Sequence, residues 1–254
     1  MSANKLVIND SKTQLVVMAP RQAGNMRDQV SLQAGEHVIV PTLTAKLLGG
    51  IVSQDGKWKE HILSSNQSLI AQITSRINGL SLISSRAAFS TRLMVANGIV
   101  ISKLCYLIQL WGGCEDYLLN SLQVLQTRAA RIVCHQGWFT PTRVLLARCK
   151  WLSVRQLVYY QTAILTYKVI KSGLPVYLGR KLTASFPYRT RQATTGAVRY
   201  GEEFSSRRAI NHRSYKYRAA TEYNRLPGEI REAKTVGTFK TKLRQWIKEN
   251  IPLT

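Results

Sequence analysis

The sequence predicts a mainly α fold: a helical bundle with a small antiparallel β-element at its N-terminal side and a basic, partly helical C-terminal region. Three observations carry this. Apolar residues recur at helical spacing from Trp58 to the early 170s. The first fifty residues hold short β-rich runs separated by turn residues. Positive charge thickens late in the chain: residues 171–254 hold 18 Lys/Arg and 6 Asp/Glu, against 18 and 7 in the twice longer 1–170. Boundaries are expected to divide the chain into 1–53, 54–172 and 173–254.

Taken in order, KLVIN (Lys5–Asn9) and QLVVM (Gln14–Met18) read as a hairpin. HVIVP (His37–Pro41) and LLGGIVS (Leu47–Ser53) read as two further strands, the second with Gly49 and Gly50 inside it, and Asp55-Gly56 marks a turn. Ile62, Leu69, Ile73, Ile77 and Leu80 then fall near one helical face. A second helix is expected from Ser85 to Trp111, stopping at Gly112-Gly113. A third is expected from Glu115 to His135, with an apolar stripe of Leu118, Leu122, Leu125, Ala129 and Ile132, and with Arg128 and Arg131 off that stripe. Thr140 should cap a short helix through Arg148 that begins with Pro141, and Ser153 a longer one ending at Gly173. Two more helices are expected near Ser214–Asn224 and Thr238–Asn250.

A hydrophobic fraction of 45% over 254 residues is enough to bury a core, so the chain is no disordered basic tail. Cys105, Cys114, Cys134 and Cys149 form no CxxC pair, which suits buried thiols in a reducing compartment. The N-terminal residues show no charged-then-apolar leader, so an intracellular, nuclear or cytoplasmic location is expected. The most apolar run, Leu93–Trp111, carries Lys103 near its middle. A lysine there costs roughly 2.5–3.5 kcal/mol on membrane-insertion scales, so the run is expected to be a buried helix rather than a span.

Net charge points to the partner. There are 36 Lys/Arg against 13 Asp/Glu, a formal charge of +23, which implies a polyanion. The four aspartates, Asp10, Asp28, Asp55 and Asp116, are scattered. Two-metal phosphoryl transfer needs clustered carboxylates, and none is visible, so binding is expected and processing is not. From Arg180 to Arg218, bases alternate with aromatics, including Arg189, Arg191, Arg207, Arg208, Arg213, Lys216 and Arg218. Cations there can neutralise phosphates, and rings can stack on unpaired bases. Glu229, Glu232 and Lys234 read as an exposed helix start rather than a nuclease centre. Cys134, His135 and Cys149 fit no common zinc spacing, and no serine has an evident base partner.

An ordered series of motifs adds to this. It runs N-x-x-K-T (Asn9, Lys12, Thr13), LLGGI (Leu47–Ile51), W-x-x-H-I (Trp58–Ile62), KLCYLIQLWGG (Lys103–Gly113), LQTRAARIV (Leu125–Val133) and TPTRVLL (Thr140–Leu146). WLSVRQL (Trp151–Leu157), YKVIKSGLPVYL (Tyr167–Leu178), Thr190-Arg191, YNRLPGEIR (Tyr223–Arg231) and TFKTKLRQWI (Thr238–Ile247) complete it. The series resembles the C-terminal part of the reverse transcriptases of non-LTR (LINE-like, jockey-type) retrotransposons, over nearly the whole chain. The resemblance implies that Asn9, Lys12 and Thr13 close the polymerase palm near the incoming nucleotide. It also implies that Leu48, Gly49 and Gly50 form the strand turn that grips the primer end. Trp58–Gly173 would be the helical thumb and following region along the primer–template duplex, which the basic tail extends.

The family's metal-binding aspartate pair, which precedes the N-x-x-K-T element, has no counterpart here, because the sequence contains no Asp-Asp. Its endonuclease domain has none either. No catalytic residue, metal site or cofactor is therefore expected on this chain, Mg2+ belonging only to a complete parent polymerase. The expected partners are RNA and/or DNA, with the missing palm and endonuclease of a parent protein, and no membrane. Two alternatives stand beside this: a structural or interaction fragment of a decayed element, and an active reverse transcriptase completed by a separate palm.

Overall fold

Short β-branched runs punctuated by residues that tolerate positive φ make hairpins, and that is how the N-terminal part of the chain is built. The structure, a computed structural model, describes residues 12–18, 29–34, 37–180, 182–183, 199–200 and 214–253. It divides into two compact units, Met1–Ala71 and Gln72–Thr254. It is mainly α, with small two-stranded antiparallel sheets near its N-terminal side.

In the first unit, β1 (Leu32–Ala34) pairs with β2 (His37–Ile39), Leu32 opposite Ile39. Strand β3 (Thr44–Leu47) pairs with β4 (Gly50–Ser53), Thr44 opposite Ser53 and Leu47 opposite Gly50. This corrects the reading of Leu47–Ser53 as one strand. Leu48 and Gly49 are the turn, with φ of 48° and 80°. A two-residue I′ turn needs positive φ at both central residues, so the glycine serves the reversal and not a close approach within a strand. Gln14–Met18 is no strand either. Leu15 forms an isolated parallel bridge with Pro41, and its carbonyl accepts from the Thr42 N–H at 2.7 Å. Its expected partner, Lys5–Asn9, lies outside the described residues. The Asp55-Gly56 turn forms, with Asp55 Oδ1 accepting from Ser53 Oγ at 2.6 Å and from the Lys57 N–H at 3.0 Å. These bonds hold the Asp55 carboxyl below its usual range, against the opposing effect of burial, the larger single influence.

Helices α1 (Lys59–Ile62) and α2 (Leu69–Ser84) carry the first apolar stripe. All five expected residues are fully buried, but Leu63–Ser68 interrupts the helix. Ser64, Ser65, Asn66 and Ser68 fall there, and such side chains compete for backbone hydrogen bonds. Ser68 ends the break by accepting from the Ala71 N–H at 3.3 Å.

The expected single helix Ser85–Trp111 is four helical pieces: α3 (Phe89–Ala96), a π-helical turn (Asn97–Ile101), α4 (Ser102–Cys105) and α5 (Ile108–Trp111). Side chains brace this irregular stretch, two of them by donating to its main-chain carbonyls and one by donating to the Asn97 side chain. Arg76 donates to the Ile99 carbonyl at 2.8 Å, Trp151 Nε1 to Asn97 Oδ1 at 2.8 Å, and Trp111 Nε1 to the Tyr106 carbonyl at 2.9 Å. Leu107, at φ 55°, makes the corner. Among the described residues, no helix is long and apolar enough to cross a membrane.

Helix α6 (Asp116–Cys134) leads through a tight connection to α7 (Thr142–Cys149) and then α8 (Val154–Ser172). No hydroxyl caps α7; Pro141, not Thr140, is its N-cap. Ser153 caps α8 as expected and forms a capping box with Gln156, and Gly173 ends that helix at φ 67°. Helix α8 is buried on nearly every side, and α5, α6, α10 (Tyr215–Asn224) and α12 (Val236–Asn250) pack around it. At Gly112 an added Cβ would lie 2.7 Å from Val158, so only glycine permits this approach. Tyr167 stacks on Phe239 with centroids 4.1 Å apart. Short elements α9 (Val176–Gly179), β5 (Leu182–Thr183), β6 (Arg199–Tyr200) and α11 (Gly228–Arg231) complete the second unit.

Candidate nucleic-acid interface

A basic chain offers phosphate contacts only where its cations are not already engaged. Several arginines of the second unit are engaged. Arg92 is 7% exposed; its Nε donates to the Val133 carbonyl at 2.9 Å and its Nη1 to the Ser84 and Ala87 carbonyls. Arg218 is 9% exposed and donates to the Gln109 carbonyl at 2.6 Å. Arg244 donates to the Lys150 carbonyl, and Arg76 closes the π-turn. Guanidinium geometry suits this use, because a planar fork meets several carbonyls at helix ends.

Arg218 therefore leaves the expected interface. Its surroundings are a buried polar cluster. Glu222, one turn along α10, has a buried Oε2 with no hydrogen-bond partner. Burial drives its carboxyl up to about 7, against the pull of Arg218 and Arg225. Burial likewise lowers the Arg218 guanidinium and raises the Tyr215 phenol to about 12. The Tyr159 hydroxyl donates to the Glu222 carbonyl. These groups lock α10 to α8 rather than face a ligand.

Helix α6 presents the remaining candidates. Its inner face is wider than the expected apolar stripe and is partly polar: Gln123, Gln126 and Thr127 are buried, whereas Leu125 and Ile132 are only half-buried. Gln126 donates to the Leu152 carbonyl at 2.8 Å, and Gln123 accepts from the Val154 N–H at 2.8 Å, fixing the start of α8. The outer face carries Tyr117, Val124 and Arg128 exposed, with Arg131 half-buried one turn on. Arg128 Nη2 lies 3.0 Å from Asn78 Oδ1. Arg131 lies over the Trp138 ring, 4.8 Å from its centroid, and its Nε has no hydrogen-bond partner.

The connection between α6 and α7 is a feature that sequence reasoning missed. Helix α6 ends in a Schellman arrangement: His135 takes φ 50°, its N–H reaches the Ile132 carbonyl, and the Gln136 N–H reaches the Arg131 carbonyl at 3.1 Å. A turn closed by Thr140 N–H to Gly137 C=O at 3.2 Å comes next, with Trp138 and Phe139 at its apex. Trp138 is 74% exposed and Phe139 97%. A Trp-Phe pair between two helices reads as core on composition alone. The intervening length, too short to fold back, was the available signal.

Lys12 is exposed, Lys216 is half-buried, Gly49 sits in the β3–β4 turn and Gly50 is buried at the start of β4. Asn9, Arg189, Arg191, Arg207, Arg208 and Arg213 lie outside the described residues. Among the described residues, no three His, Cys, Asp or Glu side chains could hold a metal together. Cys134 and Cys149 lie 3.5 Å apart, both buried, and the Cys149 thiol is pushed up to about 12 by burial and by its neighbour. The His135 ring instead meets the Ser84 carbonyl at 2.9 Å. Glu229 and Glu232 are exposed around α11. Comparison with known protein families, characterised proteins and solved structures finds no match.

Proposed function

We propose that this chain binds nucleic acid through phosphate contacts with little sequence preference, as the end-of-palm, thumb and C-terminal region of a non-LTR retrotransposon reverse transcriptase. One observation supports the binding reading most: from His61 to Gly201 the sequence holds only two carboxylates, Glu115 and Asp116, and Asp116 is paired with Arg155 at 2.9 Å. A cationic surface with so few internal counter-charges attracts a polyanion over a wide area. The ordered motif series supports the family reading. Polymerisation would need metal-binding carboxylates supplied from elsewhere.

A filter-binding titration from about 50 to 200 mM salt tests this reading. Affinity for a random-sequence duplex should fall steeply and linearly on logarithmic axes, and a second unrelated duplex should behave alike. Binding that ignores salt, or that strongly prefers one sequence, would refute it. Primer extension with Mg2+ should show no incorporation.

A further inference from the structure

We infer that the Trp138–Phe139 turn is a stacking platform for unpaired bases, so that the protein prefers single-stranded nucleic acid, or a duplex end, over continuous duplex; this rests on the proposed nucleic-acid binding. Adjacent large apolar side chains exposed together are the kind of surface that marks an interaction site. Here both stand at the apex of one turn, Trp138 at 74% and Phe139 at 97% exposure. The turn is not loose. It is anchored by the Schellman end of α6, by the Thr140–Gly137 hydrogen bond and by the start of α7 at Thr142.

Charge selects the occupant. Arg131 lies over the Trp138 ring at 4.8 Å, and Arg128 stands one turn back on the same face of α6. Arg143 and Arg148 are on α7, and Arg148 lies over Phe89 at 5.7 Å. Neither α6 after Asp116 nor α7 contains a carboxylate. A nucleobase fits such a place: its π-face meets a ring, and its phosphate meets a nearby guanidinium. A duplex interior hides its bases from these rings, whereas an unpaired strand or a frayed end presents them.

The test is fluorescence anisotropy of the full chain with three labelled oligonucleotides of equal phosphate number: a single strand, a duplex and an abasic strand. Trp138→Ala/Phe139→Ala is compared with wild type, circular dichroism confirming that both are folded. Single-strand affinity should drop about tenfold or more. The salt slope should stay unchanged, and duplex and abasic binding should move less than twofold. An equal loss on all three ligands, or no loss on the single strand, would overturn the inference. Loss of binding to anionic phosphatidylserine vesicles with no change on any oligonucleotide would also overturn it, in favour of a membrane. If wild type bound none of the oligonucleotides, the nucleic-acid reading itself would fail, a distinct result.

Discussion

Glu222 carries the sharpest consequence at the scale of single residues. Its Oε2 is buried without a hydrogen bond, and its carboxyl is raised to about 7 chiefly by desolvation. In the unfolded chain it titrates near 4.5. Between these values the native state holds a proton that the unfolded state has lost, so stability is greatest below about 4.5 and falls as pH rises towards 7. The full loss is on the order of 3 kcal/mol. Glu222→Gln keeps the shape and removes the titration. Denaturant midpoints measured at intervals across that window should therefore diverge, the variant gaining on wild type at each step. Parallel profiles would show that Glu222 ionises freely in the folded protein. Arg218 and Arg92 teach the related lesson that a cation's letter does not reveal its exposure. Both lie beside helix breaks whose carbonyls need donors, a need invisible before the breaks are known.

Helix ends separate what was readable in advance from what was not. Ser153 and Gly173 announced the start and stop of α8, because capping chemistry is local. The ends of α6 and α7 instead use His135 and Lys150 in left-handed conformations, at φ 50° and 55°, where glycine is the usual choice. The break at Tyr106-Leu107 had no local signal either, since no glycine, proline or capping residue stands between Lys103 and Trp111. Tertiary partners such as Trp151 and Arg76 sustain the irregular stretch before that corner. Among the candidate site residues, the outward placement of Arg128 and Arg131 was readable because they fall outside a periodic stripe. The polar inner face of α6 was not, since Gln123 and Gln126 are buried only because α8 begins beside them. Lys150 offers a direct check. Its side chain is exposed and its carbonyl contact to Arg244 is main-chain, so Lys150→Gly relieves left-handed strain at little other cost. Stability should rise by about 1 kcal/mol, measured by denaturant unfolding. A drop would mean that the lysine side chain holds the α7 end.

On the scale of the whole molecule, the charge of +23 overstates the cations available for binding. Arg76, Arg92, Arg218 and Arg244 already donate to main-chain carbonyls, whereas Arg128 and Arg131 stand on the outer side of α6. Arg128→Gln/Arg131→Gln should therefore weaken binding to all sequences alike and lower the logarithmic salt slope by about 2. An unchanged slope would place the phosphate contacts elsewhere on the protein.

The burial of α8 also bears on how the polypeptide matures. Phe239, Leu243 and Ile247 of α12 and Tyr223 of α10 are covered, and these two helices supply much of the packing around α8. They are translated dozens of residues after it. While the ribosome makes the intervening segment, the apolar flank of α8 waits without its cover, so a nascent chain paused there is open to chaperone capture or misassociation.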